Sequence, residues 1–174
     1  GGGGEKAAGG WWGGGRREGI LGKGVPETAF EFQYTVKGGM RADCVLKLPE
    51  PTGLIAIDSK FPLENFERMF DEGAERISAA AFKSDVRKHI DDIAKKYIIP
   101  GETNDGAVMF LPAEAVFAEI HARHRDLVAY AQKKFVWLTS PTTLMAVLTT
   151  AQSVITTRAT PTPIHIITDD MHKH

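Results

Sequence analysis

Hydrophobic and polar residues alternate strictly over 30–37, FEFQYTVK, with Phe30, Phe32, Tyr34 and Val36 on one side and Glu31, Gln33, Thr35 and Lys37 on the other. That is the period of a half-buried strand. After Gly38-Gly39 the alternation resumes over 40–48, with Met40, Ala42, Cys44, Leu46 and Leu48 facing one way and Arg41, Asp43, Val45 and Lys47 the other. The diglycine predicts a hairpin joining the two. Pro49-Glu50-Pro51-Thr52-Gly53 marks a second turn, and 54–60, LIAIDSK, reads as a third, more apolar and therefore central strand.

The period then changes. Residues 62–96 read as helical, with Pro62 suited to a first turn, Leu63, Phe66, Met69 and Phe70 forming one stripe and Phe82, Val86, His89, Ile90 and Ile93 a second. A loop over 98–106 leads to a short apolar strand at 107–112. A helix over Ala113–Lys134 follows, with Val116, Phe117, Ile120, Leu127, Val128 and Ala131 on one face. Residues 135–139 form another strand. Ser140-Pro141 opens a last helix whose core stripe is Leu144, Met145, Leu148, Ala151 and Ile155. The order of elements predicts an α+β or mixed α/β domain over 25–155, a hairpin feeding a central sheet.

Composition adds the boundaries. Twelve of the 18 glycines fall in residues 1–24, a lead read as flexible or imperfectly recorded, with Trp11 and Trp12 out of character in it. Residues 156–174, rich in Thr, Pro and His, read as a tail. Twenty-one basic and 22 acidic residues leave a net charge of -1, which excludes a globally basic nucleic-acid coat and an acidic disordered chain. Nucleic-acid binding would need a local basic patch. The lone Cys44 excludes a disulfide framework, and a reducing, cytoplasmic setting is expected. No run of about 18 apolar residues is present, so no membrane segment is expected, and the glycine-rich start lacks the apolar stretch of a signal peptide.

The candidate chemistry sits on strands two and three. Asp43 faces away from the apolar stripe of its strand. Asp58 and Lys60 lie two apart at the end of the third strand, so they share a side. Two acids on neighbouring strands can hold a hard divalent cation such as Mg²⁺, which retains several waters. A lysine beside them can orient an attacking water or offset charge on a phosphate. The plain alternative is a solvated strand end, with Asp43 paired to Arg41 or Lys47.

The strings RADCVLKLP, LIAIDSKFPLENFE, VRKHIDDIAKKYIIPGETNDGAVMFLPAEAVFAEIHA and VWLTSPTTLMAVL resemble the RmuC family, bacterial proteins named for DNA recombination, over residues 19–155. That family is similar to the PD-(D/E)xK nucleases. The resemblance implies a restriction-endonuclease-like mixed sheet flanked by helices. It implies Asp43 and Asp58 as acids for Mg²⁺ or Mn²⁺, Lys60 as the catalytic lysine, and DNA as the partner. Where family members carry Trp-Gly-Glu, this chain reads Trp12-Gly13-Gly14, with Glu18 the nearest substitute acid. The family's upstream membrane segment and coiled coil are not seen in this sequence. Two functions follow: a metal-dependent DNA endonuclease-like domain, or a DNA-binding or oligomerising module that keeps the fold without cleavage, with a homo-oligomer possible in either case.

Other clusters have plainer readings. Glu119, His121 and His124 read as a solvated helix face, and Glu114 as a favourable charge at a helix start. Ser140, Thr142 and Thr143 read as capping, and Cys44 as a small buried apolar residue. His165, His172 and His174 lie in the tail. Arg87, Lys88, Lys95 and Lys96 form the exposed side of a helix. With Arg41, Arg87 and Lys88 are the expected phosphate contacts if DNA reaches Asp58.

Overall fold

The computed structural model describes residues 29–59, 66–68, 70 and 78–159. The lead, Lys60, much of the first helical stretch and the tail histidines lie outside the described residues.

The two alternating segments form the predicted hairpin. Strand β1 (Phe30–Thr35) pairs antiparallel with β2 (Arg41–Lys47), with Phe32 opposite Cys44 and Tyr34 opposite Ala42. Gly38 and Gly39 take φ of 99° and 84°, conformations that side chains resist, so the diglycine fits the tip for a physical reason. Strand β3 (Leu54–Asp58) pairs antiparallel with β2, then parallel with β4 (Ala107–Phe110), which pairs parallel with β5 (Val136–Thr139). The sheet order is β1-β2-β3-β4-β5, so β3 is central, as its apolar run predicts.

Helices cover both faces. Helix α1 (Ala79–Tyr97) starts at Ser78, whose hydroxyl accepts the Ala81 N–H at 3.1 Å. It joins α2 (Glu114–Arg123) and α3 (Arg125–Lys133) on one face, where Phe82, Val86, Ile90, Ile120 and Leu127 pack against Val45, Ala56 and Met109. Helix α4 (Pro141–Ala159) covers the other, setting Leu144 and Leu148 against Cys44, Leu46, Ile57 and Phe110. It runs to Ala159, past the expected boundary at 155.

Three expectations need correction. Val45, placed with the polar residues of its strand, is fully buried, because helices cover both sides of the sheet. The alternation along β1 also fails to hold one face. Phe30 packs on the α4 side, whereas Tyr34 and Val36 pack on the α1 side. Between them Gln33 takes φ of 53°, a left-handed conformation that turns the strand. The far half of the hairpin therefore reaches the end of α1. The Tyr97 hydroxyl donates to the Arg41 carbonyl at 2.9 Å, and the Lys37 N–H donates to the Glu102 carboxylate at 2.8 Å.

The third correction concerns the helix over 113–134, which breaks at His124 (φ -131°, ψ 53°) into α2 and α3. His124 is 7% exposed, not on a solvated face. Its ring centroid lies 5.4 Å from that of Phe82, and its Nε2 lies 3.8 Å from Glu119. His121 stacks on Phe117 at 4.0 Å instead of joining it. Helix α3 ends with Phe135 at φ of 59°, the left-handed position that usually takes glycine, at a cost of about 1–2 kcal/mol.

Cys44 behaves as the buried apolar residue expected. Burial, with the nearby Asp43 charge, pushes its thiol up to about 12. An acid whose folded pKa is raised leaves stability intact below its unfolded pKa and erodes it as pH climbs towards the folded value. In a disulfide-exchange assay with Ellman's reagent at pH 8, the native chain is expected to be silent and the guanidinium-unfolded chain to release one equivalent. Prompt reaction of the native chain would contradict the burial.

Candidate metal centre

The Asp43–Asp58 pair arises from register. Cys44 pairs with Ile57, which puts Asp43 and Asp58 next in line where the β2–β3 ladder stops. At that point side chains take over from backbone pairing. The Ser59 N–H donates to Asp43 Oδ2 at 2.9 Å, and the Asp43 N–H donates to Asp58 Oδ1 at 3.4 Å. Each carboxylate thus reaches across to the other's strand, and the two are interlocked. Asp58 is 1% exposed, at the end of the buried run Ile55–Ala56–Ile57, while Asp43 is half-buried and opens the pair to solvent. Of the two partners that the plain alternative gives Asp43, Arg41 and Lys47, the second pairs with Glu31 instead, at 3.3 Å.

The donor chemistry suits a hard divalent cation. Both groups are carboxylates, and each supplies two acceptor oxygens of the kind a hard cation takes, one of them already meeting a backbone N–H. Two carboxylates with water completing the shell match the way Mg²⁺ is commonly held. No cluster of three or more His, Cys, Asp or Glu suited to a metal occurs among the described residues. Lys60 and Glu18 lie outside them.

The expected phosphate contacts do not gather in one place. Arg41 is exposed two residues before Asp43, on the same strand. Arg87 is engaged elsewhere, 3.1 Å from Asp126 and 5.7 Å from the centre of the Tyr130 ring. Lys83 and Arg87 together hold the Asp126 carboxyl below its usual range, with the Lys83 hydrogen bond the larger cause. Lys88 is exposed on the same helix. About 15 Å of helix separates Arg87 from Tyr97, the residue that touches the Arg41 backbone.

Glu114 has a role that sequence reasoning missed. Its carboxylate accepts the Thr142 N–H at 2.7 Å, tying the start of α2 to the first turn of α4. Donors from Thr142 lower its pKa. The Ser140 cap is confirmed: the Thr143 N–H donates to its hydroxyl at 3.2 Å and the Ser140 N–H to Thr143 Oγ1 at 2.7 Å.

The sheet, the flanking helices and the interlocked acids follow the blocks singled out by resemblance, and a family model described as RmuC family matches residues 4–173. The chain belongs to the RmuC family. Among similar curated proteins, the DNA recombination protein RmuC of Escherichia coli K12 is 31% identical over 130 residues, covering 71% of this chain and 27% of that protein. A DNA recombination protein RmuC homolog of Zymomonas mobilis is 28% identical over 133 residues, covering 72% of this chain and 30% of the relative. One from Xylella fastidiosa is 35% identical over 105 residues, 56% of this chain and 23% of the relative. The chain therefore spans under a third of the length of these RmuC relatives. No solved structure matches. Among the described residues no helix is long and apolar enough to cross a membrane.

Proposed function

We propose that this RmuC domain acts on DNA in a recombination-related role, as a PD-(D/E)xK-type, metal-dependent phosphodiester hydrolase. The observation that carries the reading is the interlocked Asp43–Asp58 pair at the end of the β2–β3 ladder. Relatives named for DNA recombination support the choice of DNA. Asp43 and Asp58 would hold Mg²⁺ or Mn²⁺, which when bound supplies positive charge to a phosphate oxygen and acidifies water. Lys60, two residues beyond Asp58 in the sequence, is assigned to orient the attacking water. Burial of Asp58 keeps the inner side of the pair dry, and the half-buried Asp43 leaves the outer side open to substrate. Arg41, exposed two residues before Asp43, would meet the DNA backbone through charge alone, without reading sequence.

The test is a Mn²⁺ titration by calorimetry on the chain and on its Asp43→Asn/Asp58→Asn variant. Asparagine keeps a carbonyl oxygen for the backbone N–H groups while removing the charge, so the fold is expected to survive. Binding by the parent that vanishes in the variant supports the assignment. Binding retained by the variant rejects the acids as the metal site. No binding by the parent rejects the hydrolase reading in favour of a DNA-binding module without cleavage.

A further inference from the structure

The turn from α3 into β5 carries a feature that folding alone does not explain. Phe135 occupies a left-handed backbone position where glycine would be relaxed, and its side chain is 61% exposed. A large aromatic there strains the backbone and shows apolar surface to water, so neither packing nor local propensity favours it. Two residues on, Trp137 is 45% exposed on the outermost strand of the sheet. Its ring rests against Gly106, where an added Cβ would fall 2.5 Å from the indole Cη2. That seat is held in place by Asn104, which accepts the Gly106 N–H at 3.0 Å and donates to the Thr52 carbonyl at 2.8 Å. The indole thus rests on a fixed backbone and leaves much of its surface free.

Two lysines lead directly into these rings, and one acid, the exposed Asp105, adjoins the Gly106 seat. Lys133 and Lys134 precede Phe135 directly, and both are exposed. Lys134 lies 3.9 Å from Asp91 and 5.7 Å from the centre of the Tyr130 ring, a surface pair that water screens and a phosphate can displace. Exposed aromatics next to lysines are a combination that binds single strands: each base offers a π-face to stack on, and the cations follow the backbone.

We propose that Phe135 and Trp137, with Lys133 and Lys134, form a stacking platform for single-stranded DNA at the β5 edge. The platform is separate from the acid pair. Asp58 is in register with Met109, and Met109 with Leu138, so two strand spacings and three residues put Phe135 about 14 Å from Asp58, backbone to backbone. The two also favour opposite faces. Asp58 follows Ala56 on the α1 side, whereas Trp137 is registered with Val108 on the α4 side. Strand capture therefore needs neither metal nor Asp43.

The experiment is fluorescence anisotropy of a labelled 15-nucleotide oligothymidine with the full chain in EDTA at low salt. Phe135→Gly suits the purpose because glycine relaxes the backbone and keeps the fold. Its dissociation constant is expected to rise about tenfold, as is that of Trp137→Ala, in line with the loss of one stacked base. Lys133→Glu should weaken binding and flatten its salt dependence. Asp43→Asn/Asp58→Asn should bind like the parent, which separates this proposal from the hydrolase reading. A duplex of the same length, with its base faces hidden, should bind more weakly. No binding by the parent, unchanged affinity of Phe135→Gly, or equal affinity for duplex and single strand would overturn the platform. Self-association of the parent that Phe135→Gly abolishes while DNA binding persists would overturn it in favour of an interface between two copies.

Discussion

Lys60→Ala is expected to slow Mn²⁺-dependent cleavage of DNA by about 10²-fold or more, the scale on which a positioned group stabilising charge in the transition state acts. Affinity for the metal and for DNA should stay close to the parent's, because the proposed reading gives the cation to Asp43 and Asp58 and the phosphates to other basic residues. The contrast with Asp58→Asn is what makes the result informative. That variant should lose metal affinity and cleavage together, whereas Lys60→Ala should lose cleavage alone. Single-turnover cleavage of single-stranded, duplex and branched DNA, run beside the metal titration, separates the two. Equal cleavage by the parent and Lys60→Ala would show that the activity comes from another site or from a contaminant.

The second large effect is on stability. Phe82→Ala is expected to cost about 3–5 kcal/mol, the range for deleting a fully buried aromatic side chain. Phe82 is 1% exposed, and its ring sits 6.1 Å from Phe66 and 5.4 Å from His124, so it joins α1 to the α2–α3 junction and to the helical turn at 66–68. Native domains are commonly stable by about 5–15 kcal/mol, so this loss is a large part of the total. Phe70, 56% exposed with its ring 5.2 Å from that of Phe66, is the comparison: Phe70→Ala should cost only about 0.5–1.5 kcal/mol. Urea unfolding followed by circular dichroism reads both. A Phe82→Ala midpoint matching that of Phe70→Ala would mean that the α1 face is not the main core.

Local periodicity accounts for most elements of this RmuC domain. The hairpin, the central third strand, the two short parallel strands, the capped last helix and the stripe Phe82, Val86, Ile90 and Ile93 all follow from it. Asp43 stood out as an acid on the polar side of its strand, and Asp58 as an acid ending an apolar run. What periodicity missed has one kind of cause. Val45 is buried although its neighbours on that face are polar, because helices that begin at Ala79, far along the chain, cover it. His124 leaves the helix and enters the core against Phe82. Gln33 turns the hairpin, and the sequence around it gives no glycine to announce the turn. The aromatics Phe135 and Trp137 read as an ordinary strand, since nothing in the string FVWLT says that their rings stay exposed.

By itself the sequence determined which segments extend, which coil, and which residues could carry acid chemistry, because those properties depend on neighbours within about one helical turn or one strand pair. The tertiary structure decided which of them meet. Only the β2–β3 register, set by which apolar faces find cover, puts Asp43 beside Asp58 and interlocks their carboxylates with the Ser59 and Asp43 N–H groups. The same long-range packing ties Arg87 to Asp126, away from Arg41, and leaves the rings of Phe135 and Trp137 exposed at the sheet edge. A strand's period states which face is apolar. What comes to lie on that face is settled by residues far along the chain.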